Sequence, residues 1–350
     1  MPTSKTLPFC LYPLDPKFVP PKPKNSVKDE PVLALEKNGK LIKTRKRDGH
    51  YVSAVITGKG SRLYSRGKVE DLTANFPHIE EELLRLKLPP GGSLFCCELI
   101  AEQNGRDNRE YVASLTKLSL GEAIALQEKR GFARLMAFNP LILGGADMTE
   151  HTNTDRITIV QDLFGSGFAH LLPVEILEGS FTETQKMARK HGWEGQVLYD
   201  ADGKSAYRLD GNENNPPRPI GCWKRKPKSE DDFVATGWVR GTRGKRHEHR
   251  MGKLNLAQVH PVTGILVPCG EVGIGFGDDE REYLANDRLY PLVAQVEFER
   301  RHMPKRLSKG RIQCALCNPN FLRRRDDKEP SACLLPEELK QQLEAMGFRG

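Results

Sequence analysis

Lys46 stands in the run Thr44-Arg45-Lys46-Arg47-Asp48-Gly49-His50-Tyr51, a basic stretch that ends on a glycine. A lysine amine attacks only as the free base, and at its ordinary pKa of about 10.4 almost none is neutral at pH 7. A site built on Lys46 must therefore lower that pKa, by desolvation or by neighbouring cations. Lys224 and Lys226 lie two residues apart, so on a strand they share a face and can supply such cations, while Arg225 points the other way. Glu98 is the lone charge in the apolar run 93–101, a place a carboxylate keeps where a cation or a ligand meets it. Glu194 opens another strand candidate. A lysine nucleophile, flanking lysines and two carboxylates able to share a divalent cation suit phosphoryl-type transfer.

These residues need elements that aim them. The segment from Pro31 reads as strand-like, with Val32, Leu33 and Leu35 leading to an Asn38-Gly39 turn and then to Leu41 and Ile42. Residues 51–56 and 62–65 continue an antiparallel meander, with Lys46 between strands. Helices are expected over 79–88, after the capping box Ser119-x-x-Glu122, and after Ser180-x-x-Glu183. Strands are expected over 93–101, over 134–143 with Phe138, from Trp193 and from Gly221. Beyond about Ser229 the pattern changes to short strands at 234–240, 254–260, 265–271 and 293–298, separated by glycine turns, and a closing helix at 336–346. That spacing is the one a small barrel shows.

The chain has a formal charge of +8 and a pI near 9, which fits an anionic partner, nucleic acid first. No apolar run approaches the about 18 residues of a membrane helix. The N-terminus lacks the basic-then-apolar layout of a signal peptide, and its proline-rich start reads as an extended arm. The expectation is a cytoplasmic chain, with no membrane contact, whose eight cysteines are free thiols. Cys314-x-x-Cys317 with Cys333 is a weak zinc signal, having no matching second pair. His247 and His249 around Glu248 read as a surface loop.

Lysine, one spacer, aspartate, glycine is the nucleophile signature of the covalent nucleotidyltransferases, and the stretches after Lys46 follow in that superfamily's order. Ser65-Arg66-Gly67-Lys68 precedes Leu72-Thr73 and Phe76-Pro77; then come Cys97-Glu98-Leu99, Ala137-Phe138-Asn139, Glu194-Gly195-Gln196-Val197 and Trp223-Lys224-Arg225-Lys226-Pro227. Val272-Gly273-Ile274-Gly275-Phe276 looks like a glycine hairpin, and Arg325-Asp326-Asp327-Lys328 like a final RxDK motif. Over roughly residues 31–330 the chain resembles the ATP-dependent DNA ligases, particularly the compact two-domain type of phages and bacteria. Four positions depart from that family. Tyr51 stands where it usually has arginine, Thr44 where many members have glutamate, and Cys96-Cys97 where Asp-Gly precedes the strand glutamate.

The resemblance implies an α+β chain: an ATP-grasp-like, antiparallel-sheet adenylation domain followed by an OB-fold β-barrel. The boundaries would be an arm over 1–30, the adenylation domain over 31–228, the barrel over 229–330 and a terminal helix over 331–350. Lys46 would take AMP from ATP, pass it to a 5′-phosphate, and release it as a 3′-hydroxyl closes the nick. Thr44 and Arg45 would flank the adenine edge and Phe138 would stack on it. Arg66 would touch the ribose or the nick 5′-phosphate, Glu98 the ribose, and Lys224 and Lys226 the α-phosphate. Glu98 and Glu194 would hold magnesium. Arg325 and Lys328 would swing onto the β- and γ-phosphates about a hinge near Lys228-Ser229, and Asp48 would order the loop. Arg240, Arg243, Lys245, Arg246 and Arg250 lie in a stretch read as mobile and poor in aromatics. They suit phosphate tracking on nicked duplex DNA without sequence preference, by a monomer. The rivals are an RNA ligase or a capping guanylyltransferase, and, in another class, a non-catalytic nucleic-acid-binding protein.

Overall fold

The computed structural model describes residues 18–24, 28–66, 70–103, 105–209, 214–302 and 314–348. Most of the expected N-terminal arm, and Gly67 and Lys68 of the second motif, lie outside them. The chain divides into two compact units, Met1–Pro227 and Lys228–Gly350.

The first unit runs β1 (Phe18–Val19), α1 (Asp29–Lys37), β2 (Leu41–Lys46), β3 (His50–Thr57), β4 (Gly60–Ser65), α2 (Pro77–Leu84), β5 (Ser93–Ile100), β6 (Glu102–Gln103) and β7 (Arg106–Asp107). It continues with α3 (Arg109–Leu115), α4 (Leu120–Arg130), β8 (Arg134–Leu143), β9 (Ala146–Asp147), α5 (Asn153–Phe164), β10 (Leu171–Pro173), α6 (Phe181–Lys190), β11 (Gly195–Asp200), β12 (Arg208–Leu209) and β13 (Cys222–Arg225). Two sheets carry it. The larger has the order β10-β8-β5-β3-β4, with β9 on β8, and is antiparallel except at β10; the smaller is an antiparallel β13-β11-β2.

Strand alternation gives the larger sheet two unlike faces. Val52, Ala54, Phe95, Cys97, Leu99 and Leu135 join the main core with Ile79 and Leu83 of α2 and Val160 and Phe164 of α5. Phe95 is fully buried, and truncating it to alanine costs about 3–5 kcal/mol. The other face carries Tyr51 paired to Glu98, Ser53 to Cys96 and Val55 to Leu94.

Two expectations are corrected here. The stretch after Pro31 is helix, not strand. Asp29 and Glu30 sit in its first turn and Lys37 in its last, matching the helix dipole. Only Val32 of α1 is fully buried, against Phe181 and Leu198. Gly39, at φ +67°, follows the helix end rather than closing a hairpin. Lys46 also does not lie inside one meander, because β2 and β3 belong to different sheets. The capping boxes at Ser119 and Ser180 form as expected, and a third, Thr152 with Asp155, starts α5.

The second unit has β14 (Ser229–Arg240), β15 (Met251–Val259), β16 (Leu266–Val272), α7 (Asp278–Tyr283), β17 (Leu292–Phe298), β18 (Arg300–His302), β19 (Ala315–Cys317), β20 (Asn320–Arg324) and α8 (Glu337–Ala345). Its main sheet is antiparallel with order β16-β15-β14-β17-β20. Gly273 to Phe276 links β16 to α7 and is no hairpin; the Phe321 amide donates to the Ile274 carbonyl at 2.9 Å, tying that link to β20. Phe233, Leu254, Val296 and Phe321 fill the core, and Leu339 and Leu343 of α8 pack onto it.

Candidate active site

Lys46 is the last residue of β2, registered against Gly195 at the start of β11. Gly195 has φ +147°, and a Cβ there would sit 2.2 Å from the Arg225 carbonyl oxygen, so only glycine lets β11 and β13 close at this end. The preceding residue, Glu194, thereby reaches both lysines. Its carboxylate pairs with Lys46 Nζ in a short contact and with Lys226 Nζ at 3.4 Å. Lys224 lies opposite Val197, itself opposite Thr44, so Thr44, Lys46, Lys224 and Lys226 share one face of the smaller sheet.

Glu98 comes from the larger sheet. A Cβ on Gly49 would lie 2.2 Å from the Leu99 carbonyl oxygen and 2.8 Å from Glu98 Cγ. The glycine of the Lys46 motif thus lets the chain run against Glu98, and its amide donates to that carboxylate. Burial pushes the Glu98 carboxyl up to about 7; Lys46 and Arg66 pull it down, and the Glu194 charge raises it further. The residue keeps some exposed surface all the same. A carboxylate raised by burial and by a second carboxylate nearby belongs to a donor set a divalent cation relieves, and magnesium needs no more than two because it keeps its waters. Among the described residues no three His, Cys, Asp or Glu side chains cluster to hold a metal.

Arg45 is not among the side chains brought together. Alternation turns it, with Arg47, to the opposite side of β2. There Arg47 Nε donates to Asp107 Oδ1 at 2.8 Å and its guanidinium pairs with Glu102. Arg45 lies 3.7 Å from Asp107 and 3.5 Å from Glu175, with its guanidinium 4.7 Å from the Trp193 ring centre. Asp107 Oδ2 also accepts the Asp48 amide at 3.1 Å. This buried carboxylate holds the Asp48 backbone just after Lys46 and the side chains of Arg45 and Arg47 on either side of it, and Asp48 itself pairs with Arg109 at 3.6 Å. Asp107 and Glu102 are not marked in the sequence. Their only signal is two carboxylates around the turn at Gly105, just past the Glu98 strand.

Thr44 is buried, its hydroxyl spent on the Val197 carbonyl at 3.3 Å. Phe138 is the extra residue of a β-bulge: Cys97 pairs with Ala137 and Cys96 with Asn139, leaving Phe138 between them. Bulges re-aim side chains. Here the ring packs on both cores, stands 6.3 Å from Tyr51, and borders a cavity of about 30 Å³ with Arg156, Tyr199 and Cys222. The Arg66 guanidinium lies 3.9 Å from the centre of the Tyr51 ring.

In the second unit, Arg325 and Lys328 converge on Asp232, at 3.2 and 2.9 Å. Asp327 chelates the Arg325 guanidinium, which pushes its own carboxyl down to about 2. The five basic residues of the 240–250 stretch are all exposed. The loop is more ordered than expected: the Gly241 amide donates to the Arg250 carbonyl, and Asp278 gathers Arg246 at 3.0 Å and Arg250 at 3.5 Å. Cys314 and Cys333 are buried in this unit and Cys317 is partly buried. No described helix is long and apolar enough to cross a membrane.

No family model matches the chain. Its sequence is similar to curated proteins named DNA ligase. The one from Thermococcus fumicolans is 26% identical over 320 residues, covering 87% of this chain and 55% of the relative. The one from Archaeoglobus fulgidus is 26% identical over 308 residues, covering 81% and 51%. The chain thus spans about half the length of the curated relatives it matches. Among solved structures it resembles one named Pmar-Lig_PreS3, with a TM-score of 0.59 at 18% identity over 87% of this chain and 67% of that one. It also resembles a structure from a structure–function analysis of Lig E DNA ligases, with a TM-score of 0.51 at 17% identity over 88% and 99%. In sequence the chain is thus similar to proteins named DNA ligase, and in fold to these two solved structures.

Proposed function

We propose that the chain is an ATP-dependent DNA ligase that seals nicks in duplex DNA. The observation that carries this reading is the meeting of Lys46, Glu194 and Lys226 at one end of the smaller sheet, with the Glu98 charge acting on the same lysine. In the first step Lys46 Nζ, once deprotonated, attacks the α-phosphorus of ATP. An N–P bond forms, the bond to the β-phosphate oxygen breaks, and pyrophosphate leaves. In the second, a 5′-phosphate oxygen of the nick attacks the same phosphorus and returns the amine. In the third, the 3′-hydroxyl loses its proton and attacks the activated 5′-phosphorus, and AMP departs.

Glu194 accepts the ammonium in the resting chain. Lys224 and Lys226 would bind the α-phosphate oxygens, and Thr44 would line the base side through its strand. The bulged Phe138 would stack on adenine. Glu98 and Glu194 would hold magnesium, which offsets charge on phosphate oxygens when bound. For the second unit we propose an OB-fold barrel. The supporting feature is a β16-β15-β14-β17-β20 order with a helix after the third strand. Arg325 and Lys328 are proposed for the β- and γ-phosphates, and Arg240, Arg243, Lys245, Arg246 and Arg250 for DNA phosphates. The protein would act as a monomer in the cytoplasm.

Incubation with labelled ATP and magnesium, followed by nicked duplex DNA, tests the reading. The expected result is a covalent, amine-linked AMP adduct that discharges on 5′-phosphorylated nicks and seals them. Labelled GTP in its place separates a capping guanylyltransferase, and an RNA 3′-hydroxyl strand separates an RNA ligase. A chain that binds DNA and forms no adduct is a non-catalytic binder.

A further inference from the structure

Tyr51 has no part in the steps above, yet its placement is constrained on every side. It pairs directly across the strands with Glu98, so its side chain leaves the sheet on the carboxylate's face. Its hydroxyl donates to Cys96 Sγ at 3.3 Å and lies 3.1 Å from Ser53 Oγ. Both partners belong to the next cross-strand pair on that face. The ring is therefore drawn along the sheet toward Ser53 and Cys96, and the Arg66 guanidinium stacks on it at 3.9 Å. The face of a tyrosine ring attracts a cation through its quadrupole. Arg66 immediately follows β4, outside its ladder. Without a stacking partner a side chain there samples many rotamers.

We propose that Tyr51 is a positioning residue: its ring is the platform that holds the Arg66 guanidinium beside Glu98, flat and ready for an anionic phosphate oxygen of the substrate. This rests on the ligase reading for the identity of the substrate. The phosphate has two possible sources, the nucleotide and the 5′ end of the nick, and a fixed planar donor serves either.

The test is a double-mutant cycle on Tyr51→Leu and Arg66→Ala, with Tyr51→Phe as the conservative variant. Two arms are read: lysyl–AMP formation from ATP, and discharge of preformed lysyl–AMP onto a 5′-phosphorylated nick. Tyr51→Leu is expected to slow the arm that Arg66→Ala slows, by about tenfold, and to slow it no further when Arg66 is already alanine. Tyr51→Phe keeps the ring and stays within about twofold of wild type. The same cycle read on the Kd for ATP, by calorimetry, needs no chemistry. If wild type binds ATP and forms no adduct, the ligase reading falls and this second cycle decides the platform. Additive losses from the two substitutions, a Tyr51→Phe defect as large as that of Tyr51→Leu, or an Arg66→Ala variant equal to wild type in both arms and in Kd would each overturn the proposal.

Discussion

The Lys46 cluster and the Arg325 corner hold the same kinds of group in opposite condition. Around Lys46, Glu98 and Glu194 are crowded together, and Glu98 rises to about 7 because burial and a second negative charge outweigh the nearby cations. Around Arg325, each carboxylate has a cation of its own. Asp327 is chelated and falls to about 2, and Asp232 is shared by Arg325 and Lys328. The first arrangement sets two crowded carboxylates, one of them largely buried, beside several lysines, and is suited to receive a divalent cation with a polyphosphate. In the second, both cations are already engaged by carboxylates, so a phosphate bound there would compete with Asp232. A charged cluster is thus better recognised as a binding site by the direction in which its carboxylates shift than by its residue count.

The contrast can be broken by substitution. Asp232→Ala should leave Arg325 and Lys328 facing each other without their shared acceptor and destabilise the second unit by about 3 kcal/mol, read by urea unfolding. Glu194→Gln should do the reverse. It removes a charge from a crowded pair and leaves stability nearly unchanged, but slows lysyl–AMP formation about a hundredfold, because the metal proposed between Glu98 and Glu194 loses a carboxylate.

How much of this contrast was legible in the sequence depended on the reach of each interaction. Lys46, Glu98, Glu194 and Lys226 stood out because each is a charge placed in or beside a strand, and that anomaly is local. The Ser119 and Ser180 capping boxes were legible for the same reason. Helix α1 was not, because Val32, Leu33 and Leu35 mimic a strand's spacing while the acidic first turn of Asp29 and Glu30 decides the matter. Asp107 and Asp232 were invisible as hubs. Asp107 lies 60 residues from its partner Arg47, and Asp232 lies 93 from Arg325, and no local pattern encodes such pairings. That Arg45 leaves the Lys46 side chains follows from strand alternation, since adjacency to Lys46 in sequence means the opposite face of β2.

A pH titration sharpens the comparison further. Glu98 titrates near 7 in the folded chain against an ordinary 4.5, so between those values the folded state keeps a proton that the unfolded chain has released. Its stabilising contribution is complete below about pH 4.5 and is lost as pH rises through 7. Ligand-free protein should therefore lose about 2–3 kcal/mol between pH 5 and 8 relative to Glu98→Gln, measured by urea unfolding of the two proteins at matched pH. Magnesium should restore more stability at pH 8 than at pH 5, where Glu98 is protonated. The smallest effect concerns the basic loop. Asp278→Asn removes the carboxylate that gathers Arg246 and Arg250, and should tighten binding to duplex DNA a few-fold at low salt and steepen its salt dependence.

One measurement bears most directly on whether Lys46 carries the nucleotide: intact and peptide-level mass spectrometry after incubation with ATP and magnesium, on wild type and on Lys46→Ala. The expected result is a gain of one AMP that maps to Lys46, is stable to base and labile to acid as a phosphoramidate is, and is absent from the variant. An adduct on another residue, an adduct that survives in Lys46→Ala, or none in wild type would contradict it.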